Sequence, residues 1–417
     1  MTPFLVRSSF LKLVIGACFA LGILLATSDA RAYAWMIRHD YAACTQCHAD
    51  PSGGGLLTPY GRAQGEILLR TQYTKRAEDE EPGDVGNFAF GAFPLPEALL
   101  LGGDVRGMFL RTKTSLPDPL PSPPFVKRFI LMQADAEAQL TIKAFRANAS
   151  VGYAYDGALG ASLTRGQDQS GRAVSRVHWL GMDLGEDKQF LLRAGRMNLP
   201  FGLRQIEHTM WVRTATRTDI NAAQDDGIAL AYNGTRIRGE VMAIAGNFQV
   251  RPDAFRDRGY AGYLEVVPLE KLAVGGSSMI VHADTDLRLG TATWRHAHGV
   301  FARYSPVTPL VLLLESDLLV QSQPPSAPST HRTQLGNASL LQADVEPVQG
   351  VHLIVAGELL DKEPARQSPS YGVWGGAQWF FLPHVDVRVD AVYQTTPISS
   401  TLTAGTTSLL AQFHGYL

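Results

Sequence analysis

From about residue 98 onward, hydrophobic and polar residues alternate along the chain with a period of two. In one run Met132, Ala134, Ala136, Ala138 and Leu140 alternate with Gln133, Asp135, Glu137 and Gln139. Similar runs cover residues 145–155 and 385–393. Because successive side chains of a strand point to opposite faces, each run predicts a strand with one lipid-compatible face and one wet face. The runs approach about ten residues, which a tilted strand needs to cross a membrane, whereas about five or six suffice in a soluble sandwich.

The connections between these runs also favour a membrane barrel. Asn233-Gly234 stands between two apolar runs and is a strong signal for a tight β-hairpin. Longer polar or Pro-rich insertions cover residues 115–124, 164–172, 321–337 and 361–370. Tight turns that alternate with long loops are typical of outer-membrane barrels. At about 20 residues per strand and connection, residues 98–417 predict a mainly β protein, a transmembrane antiparallel β-barrel of about 16 strands, with about 14 or about 18 also compatible.

The first 32 residues have the pattern of an export signal. Arg7 and Lys12 precede an apolar stretch over residues 13–26, and Ala30-Arg31-Ala32 supplies the small-x-small site that signal peptidase cuts. We therefore expect this segment to be removed on export. The alternative interpretation is a lipoprotein box that ends at Cys18 and leaves that residue acylated.

The most informative motif is Cys44-Thr45-Gln46-Cys47-His48, the C-x-x-C-H arrangement that attaches c-type haem. Two thiols add to the two vinyl groups of the porphyrin, and the adjoining imidazole becomes an axial ligand of the iron. We therefore predict one covalent haem c on Cys44 and Cys47, with His48 as the proximal ligand. A disulfide and half of a zinc site are the alternatives. Haem is favoured, because a redox C-x-x-C should open a helix in a thioredoxin-like unit and zinc needs further soft ligands.

The residues after the motif predict the rest of a small haem domain. Gly53-Gly54-Gly55 lets the backbone pass close to a flat ligand. Pro59 suits the first turn of a short helix, which the apolar residues up to Leu69 continue. The acidic run 78–81 indicates a solvated linker. The predicted domains are a signal peptide (1–32), a monohaem cytochrome c domain (33–75), a linker (76–97) and a porin-like outer-membrane barrel (98–417).

Composition excludes several classes of protein. The chain has 417 residues, of which 45% are hydrophobic, 18% are charged and three are Cys. It is too apolar for a disordered protein and has too few cysteines for a disulfide scaffold. The formal net charge is −2, and residues 1–32 carry three basic residues against one acidic residue, which leaves −4 on the remainder. A nucleic-acid partner is therefore not expected, because phosphate binding needs a basic surface.

The order of signal peptide, C-x-x-C-H, Gly-rich loop, Tyr60-Gly61-Arg62 and porin-like barrel resembles the fused outer-membrane cytochrome-porins of iron-oxidising bacteria. The resemblance covers the whole chain in architecture and is specific around residues 33–66. It implies that Tyr60 and Arg62 belong to the haem site together with the three motif residues. It also implies electron transfer between an extracellular donor, typically ferrous iron, and periplasmic cytochromes. Within the barrel, residues 193–202 are similar to a segment of phosphate-selective-type porins.

Two groups of barrel residues admit a functional and a structural interpretation. The first group consists of Arg193, Arg196, Arg204, Glu207, His208, Arg213 and Arg217. These residues could ring the lumen and attract anions, but pairing across strands on a solvated wet face is favoured. His296 and His298 lie on one face of a strand, which suits a metal. Because no third ligand stands at matching spacing, we expect solvated, lumen-facing histidines instead.

Three functions follow from these patterns. In the first, the haem domain acts as a plug in the barrel and conducts electrons across the bacterial outer membrane. The second is a solute-selective porin with a haem-bearing gate or sensor, and the third is a membrane-anchored haem enzyme such as a peroxidase. The first is favoured, because a lone haem on a short domain has too little protein around it for a substrate pocket. The expected partners are outer-membrane lipid, a periplasmic electron-carrier cytochrome and an extracellular electron donor or acceptor.

The sequence also limits which residues can be the second axial ligand of the iron. Neither Met nor His occurs between His48 and Met108. The ligand therefore comes from upstream, where Met36 and His39 are the candidates, from a lumen side chain such as His208 or Met132, or from water. His39 lies five residues before Cys44, and about 17 Å of extended chain is enough to pass round the porphyrin edge. We predict His39 as the distal ligand.

Overall fold

Seventeen antiparallel strands form one sheet in the computed structural model of the chain. The structure describes residues 34–39, 43–73, 83–156, 161–165, 171–205, 207, 209–249, 252, 256–323, 332–362, 369–399 and 402–417. The strands are β1 (Leu99–Ser115), β2 (Val126–Ile142), β3 (Phe145–Tyr153), β4 (Ala173–Val174), β5 (His178–Leu184), β6 (Phe190–Asn198), β7 (Gln224–Asn233), β8 (Ile237–Gly246), β9 (Asp257–Leu269), β10 (Leu272–Ala283), β11 (Thr293–Val307), β12 (Leu310–Gln323), β13 (Arg332–Val348), β14 (Val351–Asp361), β15 (Ser370–Leu382), β16 (Val385–Pro397) and β17 (Thr403–Tyr416).

The sheet closes on itself. β1 pairs with β2 on one side and with β17 on the other, so neither end of the sheet is left as a free edge. β4 and β5 both pair with β3 and together occupy one position of the wall. Among the described residues the barrel therefore has 16 positions, which confirms the predicted antiparallel barrel of about 16 strands.

Side chains alternate between the lumen and the outer wall, as the period of two predicts. On β16, Asp386 and Asp390 are buried in the lumen, whereas Val389 and Tyr393 are exposed on the outside. Met132 lies in the lumen, as expected of a candidate ligand from the barrel, whereas the alternation of its run placed it on the lipid-facing side, which is a correction. It forms a bulge opposite β1 and is 7% exposed, packed with other buried apolar residues. The extra residue shifts the phase of β2 beyond that point.

Short turns and long loops lie at opposite ends of the barrel. Turns of two residues join β2 to β3, β9 to β10, β11 to β12, β13 to β14 and β15 to β16. The predicted hairpin at Asn233-Gly234 is present, with the Gly234 N–H donating to the Ile237 carbonyl at 3.1 Å. The connections from β1 to β2 and from β6 to β7 are long and lie at the other end. In outer-membrane barrels the short turns are the periplasmic ones.

Residues 34–39 and 43–73, called the lumenal segment below, lie inside the barrel. Arg38 pairs with Asp344 on β13, and Asp50 pairs with Arg193 on β6. These partners point inward from separate parts of the wall, so the segment crosses the lumen. Lys271, in the turn between β9 and β10, donates to the Arg38 carbonyl at 3.2 Å. The segment therefore lies towards the short-turn end.

The loop between β6 and β7 also turns into the lumen, from the long-loop end. It carries helix α3 (Trp211–Thr216), and Met210 and Val212 are fully buried against inward-facing residues of the wall. Arg213 pairs with Glu315 on β12. The lumen thus holds two inserted parts of the chain, and each has an apolar contact with the wall of the kind that stabilises a protein core.

The helices are short. In the numbering used here α1 is Pro59–Gln64 and α2 is Ala161–Arg165, and α1 continues into a π-helical turn over Gly65–Leu69. Single 3-10 turns cover Trp35–His39, Cys44–Gln46, Gly83–Gly86 and Phe88–Gly91. Across the described ranges, no helix combines the length and the apolar character of a transmembrane helix. The predicted signal peptide and the acidic run 78–81 lie outside the described residues.

Candidate functional site

The C-x-x-C-H motif forms one tight turn inside the barrel. The N–H groups of Cys47 and His48 both donate to the Cys44 carbonyl, at 3.2 and 2.9 Å. Both cysteines are free thiols, and Cys47 is only 4% exposed. The turn therefore holds the two thiols and the imidazole within one short stretch of backbone, and the structure does not contain the alternative disulfide.

The imidazole of His48 is held in one tautomer. The ring is buried, and its Nδ1 donates to the Gly55 carbonyl at 3.3 Å. Because a carbonyl only accepts, Nδ1 carries the proton and Nε2 keeps a lone pair. Burial lowers the pKa of His48 to about 4, against smaller opposing effects of the Gly55 hydrogen bond and the charges of Asp50 and Asp104. Metal ligation requires a neutral imidazole of this kind, whose other nitrogen is bonded to the protein.

Glycine is required in the loop that follows the motif. Gly53 and Gly55 have φ angles of +79° and +66°, in the left-handed region that other residues rarely adopt. A methyl group added at Gly53 would also lie 2.7 Å from the Cys44 sulfur. The loop backbone therefore passes close to a thiol of the motif. The approach to a flat ligand that the Gly-rich sequence predicts stays a prediction.

Helix α1 packs directly on the motif. Its N-cap is Thr58, whose hydroxyl accepts from the Gly61 N–H at 3.0 Å, and Pro59 is the first helical residue, as predicted. A methyl group added at Gly61 would overlap the Cys47 carbonyl. The helix and the motif are thus in contact through glycine backbone, which only the fold reveals.

The two further residues implied by the resemblance have different environments. Arg62 is buried and donates to the Leu101 carbonyl on β1, while its own carbonyl accepts from the His384 ring at 3.2 Å. Tyr60 is 41% exposed. Arg62 thus ties α1 to the wall of the barrel, and Tyr60 lies at the surface of the helix.

A buried ion cluster fixes the loop after the motif to the wall. Arg193 is fully buried, with Nη1 at 2.5 Å from an Asp50 carboxylate oxygen and Nη2 bonded to Glu240 on β8. Burial raises the pKa of Asp50, but the charge of Arg193 and the hydrogen bonds of Ser52 outweigh it and hold that pKa below its usual value. Asn198 on β6 adds a 3.1 Å hydrogen bond to the Ser52 hydroxyl.

His39 is placed beside the wall of the barrel. Its Nε2 lies 3.4 Å from a carboxylate oxygen of Glu346 on β13, next to the ion pair of Arg38. His39 does not border the cavity beside His48. Its role as distal ligand stays a prediction. Met36, the other upstream candidate, is buried in an apolar cluster.

A cavity lies beside His48. The Gly53-Gly54-Gly55 loop forms one side, and Arg106, Arg176 and His414 belong to the other. No local sequence pattern predicts these three residues, because Arg106 on β1 and His414 on β17 are brought together only by closure of the barrel.

The chemistry of the donor set fits a c-type haem. Two free thiols precede a neutral imidazole whose Nδ1 is already bonded, and a cavity borders that imidazole. Cys44 also borders a second cavity. Within the described part of the chain, no group of three or more His, Cys, Asp or Glu side chains is placed to hold a metal ion. The alternative zinc half-site therefore has no completing ligands among those residues.

Comparisons with known proteins identify the fold. No protein-family model and no curated protein matches the chain. Outer-membrane expressed OmpT of Vibrio cholerae is similar with a TM-score of 0.54 and 12% identity, over 77% of this chain and 99% of that chain. The channel DcaP of Acinetobacter baumannii gives 0.55 and 10%, over 76% and 96%. An anion-selective porin from Comamonas acidovorans gives 0.52 and 12%, over 76% and 99%. The chain has the fold of these barrels.

Most of the charged residues predicted for the lumen of this porin fold are buried and paired. Arg193, Arg196 and Arg213 are almost fully buried, Arg217 pairs with Asp286 at 2.6 Å, and Glu207 accepts from Gln412 at 2.6 Å. The expected pairing across strands is present for Arg193 with Glu240 and for Arg196 with Asp226, whereas Arg213 and Arg217 lie outside the strands. The expected solvated face is a correction. The inward loop and the lumenal segment cover these residues and exclude water from them. His208 lies outside the described residues.

His296 and His298 are a second correction, because they point away from the lumen of the porin fold. They alternate with Ala297, which is buried on the inner face of β11, and share the phase of the exposed Trp294 and Val300. Their rings lie 6.2 Å apart on the outer wall. Two-residue spacing puts both on one face, but only the register of the neighbouring strands decides which face that is.

Proposed function

We propose that this barrel lies in the bacterial outer membrane and carries one covalent haem c on Cys44 and Cys47, with His48 as the proximal ligand. We infer that it transfers electrons between an extracellular donor, such as ferrous iron, and a periplasmic cytochrome. The observation that carries the proposal is the hydrogen bond from His48 Nδ1 to the Gly55 carbonyl, in a C-x-x-C-H turn inside a closed barrel. When bound, the haem supplies a one-electron couple inside a wall that otherwise insulates.

The chain's own residues supply attachment, position and shielding. The two thiols provide the sites of attachment, and the neutral His48 ring provides a lone pair on Nε2. The ion pairs of Asp50 and Arg38 hold the lumenal segment in place as a plug. Helix α1 covers Cys47, with Arg62 tied to β1 and Tyr60 at the surface. Because short turns face the periplasm, the site would lie nearer the periplasmic electron carrier than the extracellular donor.

Haem staining of a denaturing gel tests the attachment. The full chain, produced with cytochrome c maturation, should give a haem-peroxidase band, and the Cys44→Ala, Cys47→Ala variant should lose it. His296→Ala is the matched control, because that ring lies on the outer wall, and it should keep the band. A band that persists in the double cysteine variant, or a wild type without one, contradicts the proposal.

Two further measurements test electron transfer and the distal ligand. Ferrous iron added to proteoliposomes should reduce the haem, seen as sharpened α and β absorbance bands, while the double cysteine variant should show no such change. His39→Ala should convert a low-spin spectrum to a high-spin one. An unchanged low-spin spectrum would remove His39 as ligand and leave the covalent attachment untouched.

A solute porin with a haem-bearing gate is the second candidate function. It is favoured by the fold shared with known channels and by arginine side chains that border cavities in the lumen. The two inserted parts of the chain favour a closed conduit instead. Planar-bilayer conductance separates the two: the conduit predicts no steady small-ion current, and an open channel supports the porin.

A further inference from the structure

The cavity beside Cys44 is lined by more positive than negative side chains. Three guanidinium groups border it, those of Arg204, Arg238 and Arg303, and the only carboxylate among the described lining residues is Glu265. Asn233, at the end of β7 beside a short turn, also borders it, so the cavity lies at the short-turn end of the lumen. Its surroundings are rich in donors and poor in acceptors.

The hydrogen bonds of these arginines leave donors unused. Arg238 and Arg303 both donate to the same oxygen of Glu265. Arg204 donates through Nη1 to the Leu199 carbonyl at 2.6 Å. Nη2 of Arg204 and Nη1 of Arg238 are buried without a hydrogen-bond partner, and Arg238 is only 4% exposed. A buried charged donor without an acceptor is costly, so the site gains from an added acceptor.

The nearest other acidic groups have partners of their own. Asp50 and Glu240 are paired with Arg193, and Glu315 is paired with Arg213. Asp50 and Glu315 influence Arg204 only through space. They do not supply the unused donors of Arg204 and Arg238 with hydrogen-bond acceptors.

We propose that this cavity binds an oxyanion group, a carboxylate or a phosphate, between Arg204 and Arg238. The planar guanidinium fork matches the two oxygens of such a group, and Arg is the side chain best suited to bind them in a buried site. The oxyanion has two sources, a free periplasmic anion or a carboxylate of a haem attached at the adjacent Cys44. Only the second source rests on the proposed function.

Isothermal titration of the detergent-solubilised full chain with inorganic phosphate tests the site. The chain is produced without cytochrome c maturation, reduced, and measured at constant ionic strength in a buffer free of carboxylates. Arg238→Gln should weaken phosphate binding at least tenfold. Glu265→Gln, which removes the competing acceptor, should strengthen it at least threefold. Arg258→Gln is the control, because Arg258 pairs with Asp284 at the surface, and it should leave the affinity within twofold.

Heat-modifiable gel mobility checks that each variant is folded. If neither wild type nor the Glu265→Gln variant binds phosphate, or if Arg238→Gln binds it unchanged, the oxyanion site is refuted. The haem-loaded chain then separates the two sources. Loss of phosphate binding on haem attachment assigns the site to a haem carboxylate, and retained binding assigns it to a free anion. A wild type that carries no haem but binds phosphate supports the site while the proposed function fails.

Discussion

The lumenal segment should be released by replacing Arg38 with Met. Arg38 is almost fully buried and pairs with Asp344 and with Glu346, the latter at 3.1 Å. Met keeps much of the volume but leaves two buried carboxylates without their cation, and breaking a buried pair in this way costs about 3–5 kcal/mol. Asp344 keeps a 3.0 Å hydrogen bond from His352, which favours the lower part of that range. At about 1.4 kcal/mol per factor of ten, opening of the segment should increase between about 100-fold and about 4,000-fold.

Maleimide labelling of Cys47 in the haem-free, reduced full chain measures this opening, because that thiol is buried when the segment is in place. Arg258→Met is the matched control. Its pair with Asp284 is about half exposed and worth about 0–1 kcal/mol, so labelling should change by less than about fivefold. If Arg38→Met labels within threefold of the wild type, the pair does not hold the segment and the reasoning fails.

Three further perturbations address the same region. Gly61→Ala should lower stability by about 1–3 kcal/mol, because the added methyl group overpacks α1 against Cys47, and it should speed maleimide labelling of that thiol. Gly357→Ala is the control, because its added methyl group faces open space, and it should leave labelling unchanged. Thr58→Ala should lose the N-cap, cost about 1 kcal/mol and speed hydrogen exchange of α1 about fivefold, and Thr58→Ser should restore protection. The pKa of His48 is about 4 in the folded chain and about 6.5 when the segment opens. Keeping the His48 ring neutral therefore stabilises the closed segment fully above about pH 6.5, and this stabilisation is lost as the pH falls through about 4. Intrinsic-rate-corrected exchange of the segment should therefore accelerate over that window, and His48→Gln should remove the acceleration; a flat wild-type profile would contradict this.

The barrel itself could be predicted from sequence because the pattern that specifies each strand lies within that strand. A period of two over a strand such as β16 reports which residues share a face, and the length of the run reports what the strand must cross. The alternation assigned Met132 to the wrong face, because one bulged residue shifts the inward–outward alternation of the strand without changing its composition. His296 and His298 were assigned to the wrong face as well, because a period of two defines two faces of a strand and does not say which of them lines the lumen.

The candidate site also has parts that the sequence predicts and parts that it does not. The C-x-x-C-H turn, the Gly-rich loop and the start of α1 are built from neighbouring residues, so their sequence predicts them. The pairing of Arg38 with Asp344 joins residues 306 positions apart, and no spacing rule connects them. The inward fold of the β6–β7 loop is also a tertiary event, which turned an expected solvated row of arginines into buried ion pairs.

The seam between β1 and β17 has a consequence for the order of assembly. The lumenal segment precedes β1 in the chain, yet its ion pairs reach β6 and β13, so it is enclosed by strands made after it. The ion pairs of the segment can therefore form only after β13 has been made. Until then no wall surrounds Cys44 and Cys47, so a group can be joined to the two thiols before the segment is enclosed.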